Sequence, residues 1–524
     1  MSSEARLRVD TLGELLHAAT RRWAPRVALV DGVRACTYGA LGERAARVAM
    51  ALGERGIRPG DRVAVFLDDR IETVEVFVAC ALGGFTLVPV NARFKASEAT
   101  HVVHDSASVA LVTSTVLGDV AAAIDGLDTL RAFICIGAGD IVPGAEPYER
   151  VLDAAAPLRE PARVSPDDIA IIGYTSGTTG FPKGAQCSNR SVVTCTRLVP
   201  MVQGMLTNGV CAFTGSFSFV SALWGILFPH LYTGASVRLL GATDVESWVA
   251  MLEHDGATYT WVPSPLVREF RDEVARRPAA LTRLHTVVHT GSKVPPEFLA
   301  SLVDVVGERL VETWGLTESI GPLTATNRGD FTGSRSARDV FSSVGRPVPT
   351  AEVAVLDADG RRTTAADITG ELVARADTLF SGYLGRPRDD PESFHPDGWF
   401  RTGDVGRFDA AGYVYIEDRC KDVIVSGGMN VYPAEVELAI ATMAGVAECA
   451  VYGVPDDHWG ETVAASVVRR TGALLDEHDV IAYVRARLAS YKKPTSVRFV
   501  DALPRNASMK VQKQALRAVH RPAP

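Results

Sequence analysis

Paired cysteines are absent from this 524-residue chain, and so is an excess of positive charge. The eight cysteines are scattered, with no Cys-x-x-Cys pair and no spacing typical of metal ligands, which argues against a disulfide scaffold and a zinc site. Acidic residues outnumber basic ones, 62 to 54, so neither nucleic acid nor an anionic membrane is expected as the main partner. These absences are typical of a cytoplasmic protein whose cysteines are reduced and mostly buried.

Long uninterrupted hydrophobic runs are also missing. Residues 1–6 lack the apolar core of a signal peptide. Residues 198–237 contain no Asp, Glu, Lys or Arg and would be long enough to cross a bilayer, but polar residues, prolines and glycines interrupt them. We therefore expect this stretch to form buried core or the wall of a pocket, and we expect no membrane span.

What the chain does contain is a hydrophobic content of 47% arranged as alternating strands and helices. A chain of this length can form two or more domains with full cores. The alternation predicts parallel sheets covered by helices. The predicted elements are strands at 62–67, 86–90, 109–112, 169–172, 236–240, 258–262 and 286–289, and helices at 71–81 and 96–104.

The pattern changes near residue 350. Short alternating strands at 351–356 and 370–373 indicate a β-barrel-like or antiparallel subdomain. A charged break at 418–422 precedes a compact α+β segment. The predicted fold class is α/β, with a large N-terminal domain of parallel sheets covered by helices plus the β-barrel-like subdomain, and a small mobile α+β C-terminal domain.

A glycine- and threonine-rich loop follows the strand at 169–172, where residues 174–184 read YTSGTTGFPKG. It offers unpaired backbone N–H groups, hydroxyl donors and one cation, which suits a polyphosphate. Composition alone would equally suit a flexible surface turn. The residues that we expect to bind ATP here are Thr175, Ser176, Gly177, Thr178, Thr179 and Lys183.

This loop closely resembles the phosphate loop of the adenylate-forming (AMP-binding) enzymes, and the chain is most similar to bacterial fatty-acid and aryl-acid CoA ligases. Residues 312–318, ETWGLTE, resemble the aromatic-Gly-x-Thr-Glu motif of that superfamily. The resemblance implies that Trp314 stacks on adenine, that Thr317 donates to the α-phosphate, and that Glu318 binds Mg²⁺. It also implies that Gly315 lines the acyl pocket. Trp314 stands where the family has Tyr, so stacking survives and the phenolic hydrogen bond does not.

Two further matches concern the ribose and the C-terminal domain. Residues 399–404, WFRTGD, resemble a motif whose aspartate binds the ribose hydroxyls, here Asp404, since a carboxylate can accept two hydrogen bonds from a diol. By the same resemblance, Arg419 makes a second ribose contact and Lys421 is the hinge about which the C-terminal domain rotates. The last residues implied here are those of the CoA tunnel, Gly427 and Gly428.

The resemblance also implies a catalytic lysine. Residues 504–510, PRNASMK, resemble the Pro-Arg-x-x-x-Gly-Lys motif, whose lysine bridges the acid's carboxylate and the α-phosphate in relatives. Two anions must meet in adenylation, and a cation between them offsets their repulsion. Lys510 takes this role. Met509 is a departure, because the family nearly always has glycine there.

Residues 215–224 correspond to the acid pocket of relatives. Ser218 replaces a histidine that is common there, which predicts a less polar pocket with one ionisable group removed. The segment has no arginine, which disfavours a malonate-like diacid. The expected acyl-pocket residues are Phe217, Ser218, Val220, Leu223 and Trp224, each of which would fit an ordinary core equally well.

Residues 289–293 resemble the adenine-floor segment of the family. Gly291 and Ser292 are therefore expected to contact ATP. Lys293 is unusual, because relatives usually carry small residues at that position.

The resemblance implies a domain division into residues 1–418 for ATP and acid binding, a hinge at 419–422, and a mobile domain at 423–524 that carries the catalytic lysine. The implied enzyme is an AMP-forming acid–CoA ligase that uses ATP, Mg²⁺ and CoA. Its substrate would be a hydrophobic monocarboxylic acid: medium-chain, branched, cyclic or aryl. We expect a cytoplasmic monomer or homodimer.

Three alternatives remain open at this stage. The enzyme could load a carrier protein, although the chain ends at Pro524, shortly after Lys510, which favours a free acceptor such as CoA. It could be a luciferase-like oxygenase, although no residue specifically suggests oxygen chemistry. It could be a degenerate nucleotide-binding regulator, as Met509, Ser218 and Lys293 suggest, although the four intact motif residues argue against this: Lys183, Glu318, Asp404 and Lys510.

Overall fold

The computed structural model describes residues 9–138, 142–175, 182–241, 244–291, 294–332, 340–387, 390–456, 458–506 and 510–520. Its helices are α1 (Leu12–Arg22), α2 (Tyr38–Glu54), α3 (Ile71–Gly83), α4 (Ala96–Asp105), α5 (Gly118–Ala122), α6 (Tyr148–Ala154), α7 (Asn189–Gln203), α8 (Val220–Ala222), α9 (Phe228–Thr233), α10 (Val245–His254), α11 (Val267–Arg276), α12 (Pro296–Val306), α13 (Pro433–Ala441), α14 (Glu477–Arg485) and α15 (Lys513–Val519).

The strands are β1 (Val27–Asp31), β2 (Arg34–Thr37), β3 (Arg62–Phe66), β4 (Thr86–Pro89), β5 (Ala110–Ser114), β6 (Ala132–Ile136), β7 (Glu146–Pro147), β8 (Ile169–Thr175), β9 (Lys183–Ser188), β10 (Val210–Phe213), β11 (Ser236–Leu239), β12 (Tyr259–Pro263), β13 (Thr286–Thr290), β14 (Leu310–Leu316), β15 (Gly321–Ala325), β16 (Arg346–Pro347), β17 (Ala351–Leu356), β18 (Arg362–Thr363), β19 (Gly370–Ala376), β20 (Phe400–Phe408), β21 (Val414–Arg419), β22 (Ile424–Ser426), β23 (Met429–Val431), β24 (Val446–Asp456), β25 (Gly460–Arg469) and β26 (Ser496–Phe499).

Two large sheets and the helices around them make up the N-terminal part. One has the order β16-β15-β14-β13-β12-β10-β11-β1-β2, and the other has the order β7-β6-β5-β3-β4-β8-β9. Most neighbours pair in parallel, and β8 pairs with β9 antiparallel. The predicted parallel sheets covered by helices are confirmed.

Local sequence explains these elements, as β3 and α3 illustrate. Residues 63–66 of β3 are buried, because a parallel strand has both faces covered. Nearly all of α3 is buried as well, since it packs between α1 and α2. The helix ends where Gly84 adopts a left-handed φ of 68°. Glu75 of α3 is buried and paired with Arg44 at 2.6 Å, which offsets the cost of burying its charge.

The uncharged stretch at 198–237 contains the end of α7, then β10, α8 and α9, and the start of β11. A π-helical turn over Leu223–Leu227 joins α8 to α9. Most apolar side chains of residues 198–237 are buried in the main hydrophobic core. Within the described ranges, no helix has the length and hydrophobicity that a membrane crossing requires.

A third sheet has the order β18-β17-β19-β20-β21, with antiparallel pairing throughout. Its core includes Leu323 of β15, and Trp314 of β14 packs against it, which ties this sheet to the edge of the nine-stranded one. The register of β20 and β21 places Asp404 opposite Arg419.

The C-terminal part is a small α+β unit. Its sheet has the order β23-β22-β25-β24, and β26 pairs in parallel with β25. Apolar residues of α13 and α14 form a core with one face of this sheet. On the other face, Leu516 of α15 packs with Tyr452 and Leu503. The predicted small α+β domain is confirmed.

Candidate active site

The polyphosphate loop connects β8 to β9. Thr175, the last residue of β8, faces Lys183, the first residue of β9, in the antiparallel register. The Nζ atom of Lys183 lies 5.6 Å from the centroid of the Tyr383 ring. The predictions for Ser176, Gly177, Thr178 and Thr179 lie outside the described residues.

Glu318 follows β14 in a short 3₁₀ turn with Thr317. Its side chain is buried, and its Oε1 accepts a hydrogen bond of 2.5 Å from the Tyr383 hydroxyl. Burial and the Glu318 carboxylate both raise the pKa of Tyr383, so the phenol remains a donor. The second carboxylate oxygen, Oε2, is a hard oxygen of the kind that Mg²⁺ prefers. Glu318 therefore fits the ion, with phosphate and water oxygens as the remaining ligands.

No cluster of three or more His, Cys, Asp or Glu side chains suited to a metal occurs among the residues whose positions are described.

Trp314 and Asp404 are in direct contact. The indole Nε1 donates to Asp404 Oδ2 at 2.9 Å, and Arg419 Nε lies 2.6 Å from Asp404 Oδ1. The backbone N–H of Asp404 donates to Thr402 at 3.1 Å. Burial raises the pKa of Asp404, whereas Arg419 and the Trp314 hydrogen bond lower it. The residues expected to bind adenine and ribose thus form one hydrogen-bonded group.

Lys510 comes from the C-terminal part and faces this group. Burial and the nearby Arg419 lower the pKa of Lys510, whereas the carboxylates of Glu318 and Asp404 raise it. The residue keeps contact with solvent, although surrounding atoms partly desolvate its ammonium. Its backbone N–H donates to Asn506 Oδ1 at 2.9 Å. Met509 lies outside the described residues.

Lys421 lies close to the same charges. Burial lowers its pKa, and Arg419 and Lys510 lower it further, whereas Asp422 and Asp404 raise it. The expected hinge residue and the expected catalytic lysine therefore repel each other in this arrangement.

Gly427 and Gly428 lie in the exposed turn between β22 and β23, both with positive φ. The Gly427 backbone N–H donates to the Trp459 carbonyl at 2.9 Å, and a Cβ on Gly427 would lie 2.6 Å from the Trp459 ring. The contacts of this turn are thus with the C-terminal unit and not with the Trp314–Asp404 group.

The expected acyl-pocket residues lie mainly in the core. Phe217 and Trp224 are almost fully buried, as are Val220 and Leu223, and Phe217 stacks on Phe213 with centroids 4.6 Å apart. Gly173 of β8 lies close both to this wall and to the 3₁₀ turn that begins at Thr317. A Cβ there would lie 3.0 Å from Val220 and 3.3 Å from Thr317.

Gly315 must be glycine for a steric reason. A Cβ at this position would lie 2.2 Å from the Gly321 carbonyl oxygen, so β14 and β15 could not pair as they do. Gly291 has a φ of 109° at the end of β13. Ser292 and Lys293 lie outside the described residues.

Sequence reasoning missed an ionisable group beside Ser218. Asp69 Oδ1 accepts from the Phe217 backbone N–H at 2.7 Å, and Ser216 bonds to both Asp69 and Ser218. Burial raises the pKa of Asp69 to about 6, and the Arg93 charge opposes this. The carboxylate of Asp69, from the loop after β3, is therefore an ionisable group beside this segment that the Ser218 replacement did not predict. Its position after a buried strand was the available signal.

Two other groups were also missed. Tyr383 follows β19 by several residues, and nothing in its surrounding sequence pointed to Glu318. A buried network joins β13 and β14 to the residue after β12, where His289 contacts Glu312 at 2.6 Å and Ser264 at 2.9 Å. Burial raises the pKa of Glu312, and His289 opposes this.

The chain matches known proteins over most of its length. The family described as AMP-binding enzyme matches residues 16–384, and the family described as AMP-binding enzyme C-terminal domain matches residues 435–510. The chain is 33% identical over 508 residues to a feruloyl-CoA synthase from an Amycolatopsis species, covering 95% of this chain and 96% of that protein.

A second relative is the 3-[(3aS,4S,7aS)-7a-methyl-1,5-dioxo-octahydro-1H-inden-4-yl]propanoyl:CoA ligase of Mycobacterium tuberculosis, which is 34% identical over 527 residues, or 97% of this chain and 98% of that protein. Among solved structures, ATP-bound MatB from Rhodopseudomonas palustris has a TM-score of 0.85 and 28% identity, covering 96% of this chain and 98% of that chain.

Proposed function

The chain belongs to the AMP-binding enzymes and is an acid–CoA ligase of that family, and we propose that it activates a hydrophobic monocarboxylic acid through an acyl-adenylate. The observation that carries this proposal is the convergence of Lys510 with Glu318, Asp404 and Arg419, which are remote in sequence. A cation beside the expected nucleotide and metal ligands is the arrangement that joining two anions requires.

In the first step, a carboxylate oxygen of the acid attacks the α-phosphorus of ATP, and the bond to the β-phosphate oxygen breaks to release pyrophosphate. Trp314 stacks on the adenine, and Asp404 and Arg419 bind the ribose. Lys183, with Thr175 and the loop between them, binds the β- and γ-phosphates. Lys510 lies between the attacking carboxylate and the α-phosphate and stabilises the charge of the transition state.

Glu318 would hold Mg²⁺, and Thr317 would donate its hydroxyl to the α-phosphate. When bound, the ion supplies charge neutralisation on the phosphate oxygens. Glu318 suits this role because its carboxylate is buried and one oxygen is already oriented by Tyr383.

In the second step, the thiol sulfur of CoA attacks the acyl carbon, the thiol proton is lost, and AMP leaves. We propose that residues 423–524 rotate about the hinge at 419–422, against residues 1–418. Rotation would withdraw Lys510 and bring Gly427 and Gly428 to the pantetheine tunnel. Repulsion between Lys421 and Lys510 in the present arrangement favours their separation.

The substrate class follows from the pocket wall and the relatives. Phe217, Val220, Leu223 and Trp224 are apolar, and segment 215–224 carries no cation for a second carboxylate. The relatives described above are named for an aryl acid and for a propanoate that carries a fused ring. We therefore propose a bulky aryl or cyclic monoacid before a simple medium-chain one.

A pyrophosphate-release screen tests this function directly. Aryl, ring-bearing, branched, linear and dicarboxylic acids are each incubated with MgATP, with and without CoA, and with a phosphopantetheinyl carrier protein as the alternative acceptor. We expect aryl or cyclic monoacids to give pyrophosphate, and CoA to give the thioester and AMP. ATP binding without AMP formation across the whole panel would contradict the proposal and favour a regulator.

A further inference from the structure

A short segment, residues 380–384, lies between the phosphate-binding strand and the expected metal ligand. On one side it pairs with β9, where Ser381 N–H donates to Gln186 at 2.7 Å and Leu384 N–H donates to Gly184 at 2.8 Å. On the other side, the Phe380 N–H donates to the Glu318 carbonyl at 2.8 Å. The segment therefore fixes the distance between Lys183, at the start of β9, and Glu318.

Tyr383 in this segment contacts both functional groups through different parts of its side chain. The hydroxyl donates to Glu318 Oε1 at 2.5 Å, and the Lys183 ammonium lies 5.6 Å from the ring centroid, within range of the π face. An isolated β-bridge from Tyr383 to Ala185 holds the residue in register with β9.

The Lys183 ammonium and the Glu318 carboxylate therefore both contact Tyr383 without forming an ion pair with each other. Across the described ranges, no ion pair joins Lys183 to Glu318 or to any other carboxylate. A direct pair would occupy the carboxylate with the ammonium, and both charges would then be unavailable to a metal and a polyphosphate. Tyr383 contacts both groups, the carboxylate through its hydroxyl and the ammonium through its ring.

We propose that Tyr383 is a positioning residue for adenylation. Its hydroxyl orients the Glu318 carboxylate so that Oε2 would be available to Mg²⁺, and its ring holds Lys183 apart from that carboxylate. This inference rests on the proposed function, because it assumes that Glu318 holds Mg²⁺ and that Lys183 binds phosphate.

Two variants separate the roles of the hydroxyl and the ring. Tyr383→Phe removes the hydrogen bond and keeps the ring, whereas Tyr383→Leu removes both. Tyr232→Phe is the matched control, because Tyr232 is 41% exposed and belongs to α9. Each protein is titrated with Mn²⁺ in the presence of α,β-methylene-ATP, and free Mn²⁺ is measured by electron paramagnetic resonance. The Mg²⁺ concentration for half-maximal pyrophosphate release is measured in parallel.

We expect Tyr383→Phe to weaken Mn²⁺ binding about tenfold, as loss of an outer-shell partner does elsewhere. Its kcat at saturating Mg²⁺ should stay close to wild type, because the ion restores the carboxylate's orientation. Tyr383→Leu should bind Mn²⁺ more weakly still and raise the KM for ATP, because Lys183 is then free to pair with Glu318.

Unchanged Mn²⁺ affinity in Tyr383→Phe would overturn the orienting role, and equal behaviour of the Leu and Phe variants would overturn the separating role. Wild-type protein that releases no pyrophosphate with any acid would refute the proposed function instead. The Mn²⁺ titration would still report on Tyr383 in that case.

Discussion

At the scale of single residues, the side chains of the site orient one another. Asp404 contacts Trp314 through one oxygen and Arg419 through the other. Each carboxylate oxygen can accept two hydrogen bonds, so both keep a lone pair for the ribose diol. The group that we expect to bind ribose is therefore fixed by the group that we expect to stack on adenine.

Trp314→Phe tests this coupling, because phenylalanine keeps an aromatic plane and removes the indole donor. A lost hydrogen bond to a buried carboxylate costs about 1 to 2 kcal/mol. We expect the KM for ATP in acid-dependent pyrophosphate release to rise about 5- to 30-fold. Trp459→Phe, at an exposed position in the C-terminal part, is the control when CoA is omitted. An unchanged KM for the Trp314 variant would contradict the arrangement.

Asp69 gives a prediction about pH. Burial raises the pKa of its carboxyl from 3.8 to about 6 in the folded protein, with Asp68 acting in the same direction and Arg93 opposing. The folded state therefore binds more protons than the unfolded state between these values, and stability falls as pH rises through this window. Above pH 6 the ionised group costs the fold about 1 to 2 kcal/mol, less than the full ~3 kcal/mol because the side chain keeps some solvent contact.

Asp69→Asn removes the titration and keeps an oxygen to accept from Phe217. We expect the variant to gain thermal stability relative to wild type at pH 8 and to lose that advantage at pH 4. Thermal unfolding of both proteins across this range measures the effect. Parallel curves for the two proteins would show that Asp69 does not titrate as described.

At the scale of elements, the order of strand and helix patterns along the sequence predicted most of the fold. The alternation of short β-branched runs with helical stretches predicted the parallel sheets, and β17 was placed at its observed bounds, Ala351–Leu356. Such patterns are local, so one sequence is enough to detect them. The resemblance also supplied Trp314, Asp404 and Lys510 as separate site residues.

Contacts between elements were not predictable in the same way. Tyr383 reaches Glu318, and Asp69 reaches Phe217, only because strand order brings distant segments together. Neither residue lies in the motifs quoted in the sequence analysis, and no local pattern predicts which strands become neighbours. The hydrogen bond between Trp314 and Asp404 follows for the same reason from packing of the third sheet against β14.

Gly173 allows β8 to pack closely against Val220 and Thr317. It lies in β8, where a Cβ would approach Val220 to 3.0 Å and Thr317 to 3.3 Å. We expect Gly173→Ala to displace Val220 and Thr317 from their positions and to cost about 1 to 3 kcal/mol in strain. The kcat/KM for a bulky acid should fall more than that for a small acid, whereas the KM for ATP should change little. Gly225→Ala, with open space around its Cβ, is the control. Equal losses for large and small acids would show that Gly173 does not border the acid.

At the scale of the whole molecule, we propose that adenylation depends on the meeting of two parts of the chain. The N-terminal part supplies Glu318, Asp404 and the phosphate loop, and the C-terminal part supplies Lys510. Lys510 interacts electrostatically with both carboxylates, as we propose for the first step. The Lys421–Lys510 repulsion opposes this arrangement, so bound anionic substrates should stabilise it.

The most direct test of this account is acid-dependent ATP–pyrophosphate exchange in Lys510→Ala, compared with thioester formation from preformed acyl-adenylate and CoA by the same variant. Loss of one electrostatic stabiliser predicts that exchange falls on the order of a hundredfold or more. Thioester formation should fall far less, because the proposed rotation withdraws Lys510 before the second step. Exchange at the wild-type rate in Lys510→Ala would contradict the account.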